Sequence, residues 1–296
     1  MTSDESFRAL GTSWWIDIFD DTDPDTRAAA TGRCARIADE FEQRYSRFLA
    51  DSYVSRLNHE RALDSAPVEF LELLRFGQEM HEQTSGACNF LVGHILEGRG
   101  YDAHYSLSPA PDHASRAVGD PQADLVIGEQ SISLTRGNVD LGSFGKGWLI
   151  DDIAALLSEE CGLHYFLING GGDMYATSEP DGSPVTIYLE HPTDPSKYIK
   201  EIKLYHNGFA ASSPFRRRWQ TRGGPLTHIV TIAPDSDSPT VTDYATFVTA
   251  PTAREADALA TAALSLPDTE LAPLAKRAQV TIHRYDPASR TLTRFG

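Results

Sequence analysis

The 296-residue chain predicts an α+β fold of mixed, largely antiparallel sheets with packed helices. Three observations lead there. Strand-like runs and helical periods are interspersed without strict alternation. Short apolar runs crowd the chain after Asp124, and antiparallel pairing is their economical reading. No internal repeat, low-complexity tract or Pro/Gly/Ser-rich linker divides the chain, so residues 1–296 are expected to form one interleaved domain.

Trp14, Ile16 and Ile18 mark a first strand that stops at the Asp and Pro cluster from Asp20 to Pro24. Ile37, Phe41, Tyr45 and Phe48 recur at three- and four-residue steps, which predicts a helix ending near Leu49. A second helix is expected from Pro67, a favoured first-turn residue, to about Met80, with Val68, Leu71 and Leu74 facing inward. Residues 98–122 scatter Gly, Pro, Ser and Asp without a period and read as loop, a candidate lid. Strands are then expected over 125–128, 131–135 and 139–141, and after them a helix from about Lys146 to Cys161 that buries Leu149, Ile153, Leu156 and Leu157. The apolar strand Tyr165 to Asn169 ends at glycines, and further strands read over 185–190, 199–205 and 228–233. Thr252 with Glu255 is a capping-box pair opening a helix whose apolar face is Leu259, Ala260, Ala263 and Leu264. Strands over 280–285 and 291–295 flank the Asp286-Pro287 turn.

Composition excludes several function classes. With 26 Lys plus Arg against 42 Asp plus Glu, the formal charge is −16, which opposes a nucleic-acid backbone. The run Arg216, Arg217, Arg218 is a local exception, either a solvated strand end or a contact with an anionic ligand. No stretch approaches the roughly 18 apolar residues of a membrane helix. The acidic amino terminus, with Asp4, Glu5, Asp17, Asp20, Asp21 and Asp23, argues against an export signal, so a soluble, cytoplasmic protein is expected. Cys34, Cys88 and Cys161 form no CxxC pair and read as reduced thiols.

Four constellations carry possible chemistry. Asp140-Leu141-Gly142-Ser143-Phe144-Gly145-Lys146-Gly147 is a glycine-rich turn that delivers one Lys at a helix start, suited to phosphate, although a tight structural turn is the alternative. Its spacing is not that of a Walker loop. Asn169-Gly170-Gly171-Gly172-Asp173 permits unusual backbone angles and close approach to an extended ligand, or is a plain turn. Asp257 and Thr261, four apart on a helix, share a face and offer two oxygen ligands for a hard cation such as Mg²⁺, or are a solvent-facing Asp and a core-edge Thr. His228, a dozen residues from the Arg run and near Ser212-Ser213, is a candidate base or a structural histidine.

In this order the segments resemble the ApbE family of FAD:protein FMN transferases, over most of the chain. Leu10-Gly11-Thr12 is similar to the family's opening strand, and Tyr45-Ser46-Arg47-Phe48 with Ser52, Ser55-Arg56-Leu57-Asn58 to its S-x-x-S-x-L-N helix end. Gly86-Ala87 and Gly98-Arg99-Gly100-Tyr101 match a further region loosely. The specific matches are DLGSFGKGWLID from Asp140 to Asp151, NGGGD from Asn169 to Asp173, and ADALATA around Asp257 and Thr261. The resemblance implies a T-fold-related architecture and an enzyme that uses FAD and Mg²⁺ to move FMN onto a Thr or Ser hydroxyl of an acceptor flavoprotein, releasing AMP. It implies metal ligation by Asp257, Thr261 and the backbone oxygen of Gly145, with His228 as general base. Lys146 would steady phosphate charge; Asn169, Gly171, Gly172 and Asp173 would line the flavin and ribityl pocket; Asn58 would border the adenine side; Leu10 and Ser212 would complete the FAD site. The chain departs from the family at Ser143-Phe144-Gly145, at Ser212-Ser213-Pro214, at Asn89-Phe90, and after His228, where an Asp-Pro pair is lost. Those departures bear on acceptor recognition and flavin geometry. They keep two other readings open: hydrolysis of FAD to FMN and AMP, and a flavin carrier without turnover.

Overall fold

The computed structural model describes residues 6–112, 117–232, 239–240 and 242–296. β1 (Ser6–Ala9) and β2 (Thr12–Ile18) form a hairpin around Leu10 and Gly11, both at positive φ, so the predicted first strand has a partner before it. α1 (Pro24–Tyr45) starts earlier than its apolar period because the Asp23 carboxylate accepts from the Thr26 N–H at 2.9 Å and Pro24 occupies the first turn. It ends at Tyr45, where Ser46 turns extended, and Phe48 lies beyond it. α2 (Tyr53–Glu60) is capped by Ser52 and precedes β3 (Ala62–Leu63). α3 (Val68–Gln83) buries Leu71 and Leu74 as expected, but Val68 is 66% exposed because it lies opposite the Phe70, Leu74, Gly77 stripe.

Two short helices, α4 (Gly93–Gly98) and α5 (Pro121–Asp124), bound the loop predicted over 98–122. β4 (Leu125–Ile127) and β5 (Ile132–Leu134) pair as expected, but β5's other neighbour is β3. The strand predicted over 139–141 is absent. The Asn58 side chain takes both backbone groups of Val139, accepting from its N–H at 2.6 Å and donating to its carbonyl at 2.9 Å. α6 (Gly145–Ala155) continues as one π turn over Leu156–Glu160.

Then come β6 (Phe166–Gly170), β7 (Asp173–Ala176), the long hairpin β8 (Val185–His191) and β9 (Asp194–Leu204), β10 (Asn207–Ser212), and the hairpin β11 (Arg218–Thr221) and β12 (Gly224–Thr227). Of the strand predicted over 228–233, only β13 (Thr231–Ile232) forms, pairing β14 (Pro239–Thr240). Ala233 lies outside the described residues. Upstream of β13 the backbone is occupied elsewhere: the His228 N–H donates to the Arg217 carbonyl, and the Ile229 carbonyl accepts from Arg99 and Thr227. β15 (Ala245–Ala250), α7 (Ala253–Ala262), α8 (Asp268–Ala278), β16 (Thr281–Asp286) and β17 (Thr291–Phe295) complete the chain.

The sequence reading of an α+β fold holds. Eight strands form one antiparallel sheet in the order β1-β2-β6-β7-β10-β15-β16-β17, so both ends of the chain share it. Alternate residues serve its two faces, as a strand's two-residue period requires. Ala210, Val248 and Ile282 join the main core, where α1, α3, α6 and α7 bury their apolar sides. Phe209, Phe247 and Tyr285 face the opposite way and pack with Ile187, Leu189, Ile202 and Leu204 of the β8–β9 hairpin. A third cluster joins Ile95, Leu96, Tyr101, Val230 and Ile232. Among the described residues no helix is long and apolar enough to cross a membrane.

α6 and α7 are tied end to end by charge and by close packing. The Asp151 carboxylate on α6 accepts from the Ala253 and Arg254 N–H groups at 2.8 and 3.1 Å, placing an anion at the start of α7. Thr252 caps the same helix from within its own chain segment, its hydroxyl accepting from the Glu255 N–H at 3.3 Å. The helices touch at Gly147, where a Cβ would come within 2.7 Å of the Arg254 Cα.

Candidate functional site

Four elements converge on one group of charges: the first turn of α6, the start of β7, the end of β10 and the middle of α7. The Lys146 ammonium is ion-paired with Asp173 and lies 3.6 Å from Asp257 Oδ2. The Gly147 N–H donates to the same Asp257 oxygen at 3.1 Å, and the Ala211 N–H donates to Asp173 Oδ1 at 3.2 Å. Both aspartates are only 3% exposed, so two carboxyl groups share one ammonium in a poorly solvated place. Burial pushes the Asp257 pKa up, Lys146 opposes the rise and Asp173 adds to it. Burial works against the Lys146 charge, but Asp173 and Asp257 more than offset it and hold its pKa above the ordinary lysine value.

One turn along α7 from Asp257, Thr261 Oγ1 lies 3.2 Å from Ser212 Oγ at the end of β10. Behind them the Thr246 hydroxyl donates to the Ala260 carbonyl at 2.6 Å, locking β15 to α7. The lysine-bearing turn and the aspartate-threonine helix, far apart in sequence, are therefore adjacent.

The glycine run makes the turn between β6 and β7. Gly171 and Gly172 adopt φ of 75° and 109°, the region that suits glycine. Asn169 Oδ1 accepts from the Gly172 N–H at 2.9 Å, closing the turn that aims Asp173 at Lys146. A Cβ on Gly171 would meet Thr12 Cγ2 at 2.8 Å, so the opening hairpin lies against this turn. Leu10 sits at that hairpin's tip, its N–H donating to Glu42 Oε2 at 2.8 Å. Asn58 spends its carboxamide on Val139 and thereby holds the segment leading to Asp140 and the lysine turn.

His228 stands beside Arg217 and Tyr101. Its Nδ1 faces the Arg217 carbonyl at 3.4 Å, and its ring lies 6.1 Å from that of Tyr101. Its pKa is pushed down to about 4, first by desolvation and then by the positive charges of Arg217 and Lys146. Around it lie Arg47 and Tyr101, to which the chemical reading of the sequence gave no role, and Arg217 from the arginine run. Arg47 is ion-paired with Asp140, donates to the Tyr101 carbonyl at 2.8 Å and covers the Phe48 ring at 4.2 Å. Arg217 donates to the Tyr101 hydroxyl at 2.8 Å. Their signal was present in the family-like segments around Arg47 and Tyr101, but neither residue has a spacing that announces chemistry. A separate cleft of about 870 Å³ runs along the far half of α6 past Asp151, Tyr175, Tyr205 and Arg254, and includes none of the converging charges.

Known proteins resemble the chain in sequence and in fold. The sequence profile of the ApbE family matches residues 10–283. The chain is 24% identical over 296 residues to the FAD:protein FMN transferase of Haemophilus influenzae, covering 94% of this chain and 84% of that one. It is 25% identical over 264 residues to the FAD:protein FMN transferase of Salmonella typhimurium, covering 84% and 74%. Among solved structures, the ApbE protein from Thermotoga maritima superposes with a TM-score of 0.84 at 20% identity, covering 98% of this chain and 96% of that one. The apo flavinyl transferase ApbE of Pseudomonas stutzeri gives 0.82 at 21% identity, covering 98% and 93%. At those identities the structural likeness speaks for the fold.

Proposed function

The chain belongs to the ApbE family, and from that premise we propose that it is an FAD:protein FMN transferase, moving FMN from FAD to a Thr or Ser hydroxyl of an acceptor flavoprotein and releasing AMP. The observation that carries the reading is the meeting of Lys146, Gly147 and Asp257 beside Asp173 and Thr261. A helix start with a lysine is built to receive phosphate oxygens.

In the reaction the acceptor hydroxyl oxygen forms a bond to the FMN-side phosphorus while the bond from that phosphorus to the bridging oxygen breaks, and the bridging oxygen leaves with AMP. His228 takes the hydroxyl proton. With Nδ1 donating to the Arg217 carbonyl, Nε2 keeps its lone pair for that purpose. A pKa near 4 keeps the ring neutral in the absence of substrate. An anionic pyrophosphate nearby would offset Lys146 and Arg217 and raise His228 toward the range where proton capture is effective. Asn169, Gly171 and Gly172 offer a turn with little side-chain bulk for the flavin and ribityl part, with Leu10 and Ser212 at its borders. Asn58 acts on the adenine side through the segment it holds.

The residues present fit Mg²⁺. Asp257 supplies a buried carboxyl, Thr261 a hydroxyl and Gly145 a backbone carbonyl, all hard oxygen donors, and a divalent cation would favour the ionised form of a carboxyl that shares its lysine with Asp173. When bound, Mg²⁺ would neutralise pyrophosphate charge, with water and substrate oxygens completing its shell.

The test is incubation of the purified protein with FAD, Mg²⁺ and a candidate acceptor flavoprotein, with mass spectrometry of the acceptor and measurement of AMP. A covalent FMN on the acceptor, dependent on Mg²⁺, is expected. AMP formed at the same rate without acceptor would replace transfer with hydrolysis, and FAD bound without turnover would leave a carrier.

A further inference from the structure

We infer that Arg217 binds a phosphate oxyanion of the dinucleotide substrate. The inference rests on the FAD reading of the site and goes beyond it by adding a second cation, beside His228.

The structure sorts the three consecutive arginines. Arg216 is ion-paired with Glu190, and Arg218 Nη1 lies 3.4 Å from Asp243 Oδ1. Arg217, among the described residues, has no carboxylate within ion-pair distance, although the chain carries 42 acidic residues against 26 basic ones. Its Nη1 donates instead to the neutral Tyr101 hydroxyl at 2.8 Å. Tyr101 is itself held: its carbonyl accepts from Arg47 at 2.8 Å, and its ring stacks on Trp219 at 6.3 Å with an interplanar angle of 21°. The guanidinium is thus oriented by a phenol without being neutralised, and the backbone of the same residue accepts from the His228 N–H at 3.3 Å. A cation fixed beside the candidate base, open to solvent and lacking an anionic partner, suits an anion brought by the substrate. Guanidinium matches paired phosphate oxygens in a way that an ammonium does not.

The chemistry allows either phosphate of the dinucleotide, so the test separates them. Calorimetric titrations with FAD, FMN, AMP and riboflavin would compare the unaltered protein with Arg217→Gln, Arg217→Lys and Tyr101→Phe. Arg217→Gln is expected to weaken FAD about tenfold or more, Arg217→Lys to weaken it less, and Tyr101→Phe to cost no more than a few-fold. Riboflavin, which has no phosphate, should bind all four proteins alike. Whichever of FMN and AMP shares the loss seen with FAD identifies the phosphate contacted. Unchanged FAD affinity in Arg217→Gln would overturn the inference. So would an equal loss for riboflavin, which indicates a merely structural role, or a loss in Tyr101→Phe as large as in Arg217→Gln, which would assign the effect to the tyrosine. These outcomes leave the transferase reading standing, because they presuppose that the unaltered protein binds FAD. If the unaltered protein binds none, the functional reading falls and the inference falls with it.

Discussion

The Gly147 N–H, in the first turn of α6, donates to Asp257 Oδ2, in the middle of α7, at 3.1 Å. That bond exists because the two helices touch where Gly147 has no side chain.

A methyl group at Gly147 would lie 2.7 Å from the Arg254 Cα, a backbone atom that cannot rotate aside. Gly147→Ala should therefore separate α6 from α7, costing about 1–3 kcal/mol as overpacking does, and reduce FMN transfer at least tenfold. Gly32→Ala is the matched control, since a Cβ there meets nothing within 4 Å in the middle of α1. It should raise stability by about 0.5–1 kcal/mol and leave transfer unchanged. Thermal unfolding beside the transfer assay reads both, and equal behaviour of the two variants would refute the helix-contact argument.

Asp257→Asn separates charge from shape. Lys146 would keep Asp173 as a one-to-one partner, and removing one buried carboxylate lifts its desolvation penalty, so stability should change by less than about 1 kcal/mol or rise. Mg²⁺ binding and FMN transfer should both be lost. Calorimetric titration with Mg²⁺ alone gives a readout independent of turnover. Ordinary Mg²⁺ affinity in this variant would remove Asp257 from the metal site.

The sequence made this pairing legible only in part. The helix carrying Asp257 and Thr261 could be read from its capping pair and apolar face, and the lysine turn from its glycines. Their contact could not, because residues 110 apart meet through β10 and β15, two strands whose short small-residue runs carry little period. The same lack of alternation hid β7 and the β11–β12 hairpin. Conversely, the run over 139–141 looked like a strand because apolar spacing cannot reveal that Asn58 will take Val139's backbone groups. Arg217 was visible as one of three arginines, but a run says nothing about which member turns toward a phenol and which toward carboxylates.

Lys146→Met should uncover the cost of the buried charges. With the ammonium gone, Asp173 and Asp257 face each other without compensation, a loss of about 3–5 kcal/mol at neutral pH. In that variant Asp257, whose pKa burial already pushes up, loses the lysine that opposes the rise, so between its unfolded value and the raised one the folded protein binds more protons. Stability must then rise as pH falls through that window. Urea unfolding near pH 8 and near pH 5.5 should show a deficit relative to the unaltered protein that narrows at the lower pH. A deficit independent of pH would mean that lost packing, and not charge, is responsible.

A second pH effect arises on the opposite face of the sheet. His283, on β16, is buried, with its Nε2 3.1 Å from the Lys200 ammonium of β9. Desolvation, then Lys200 and Arg294, push its pKa down to about 4, against about 6.5 for an unfolded histidine. Between those values the unfolded chain holds more protons than the folded one, so this contribution to stability falls as pH drops from about 6.5 toward 4. His283→Gln removes the titrating group. Its Tm should fall less steeply than that of the unaltered protein between pH 7.5 and 5, by a few degrees over the interval. His228→Gln, which removes the other histidine with a pKa near 4, should flatten the profile in the same direction, and the double variant should add the two effects because the two rings share no charged partner. Superimposable Tm profiles for His283→Gln and the unaltered protein would show that the Lys200 contact exerts no proton-linked force on the β8–β9 hairpin.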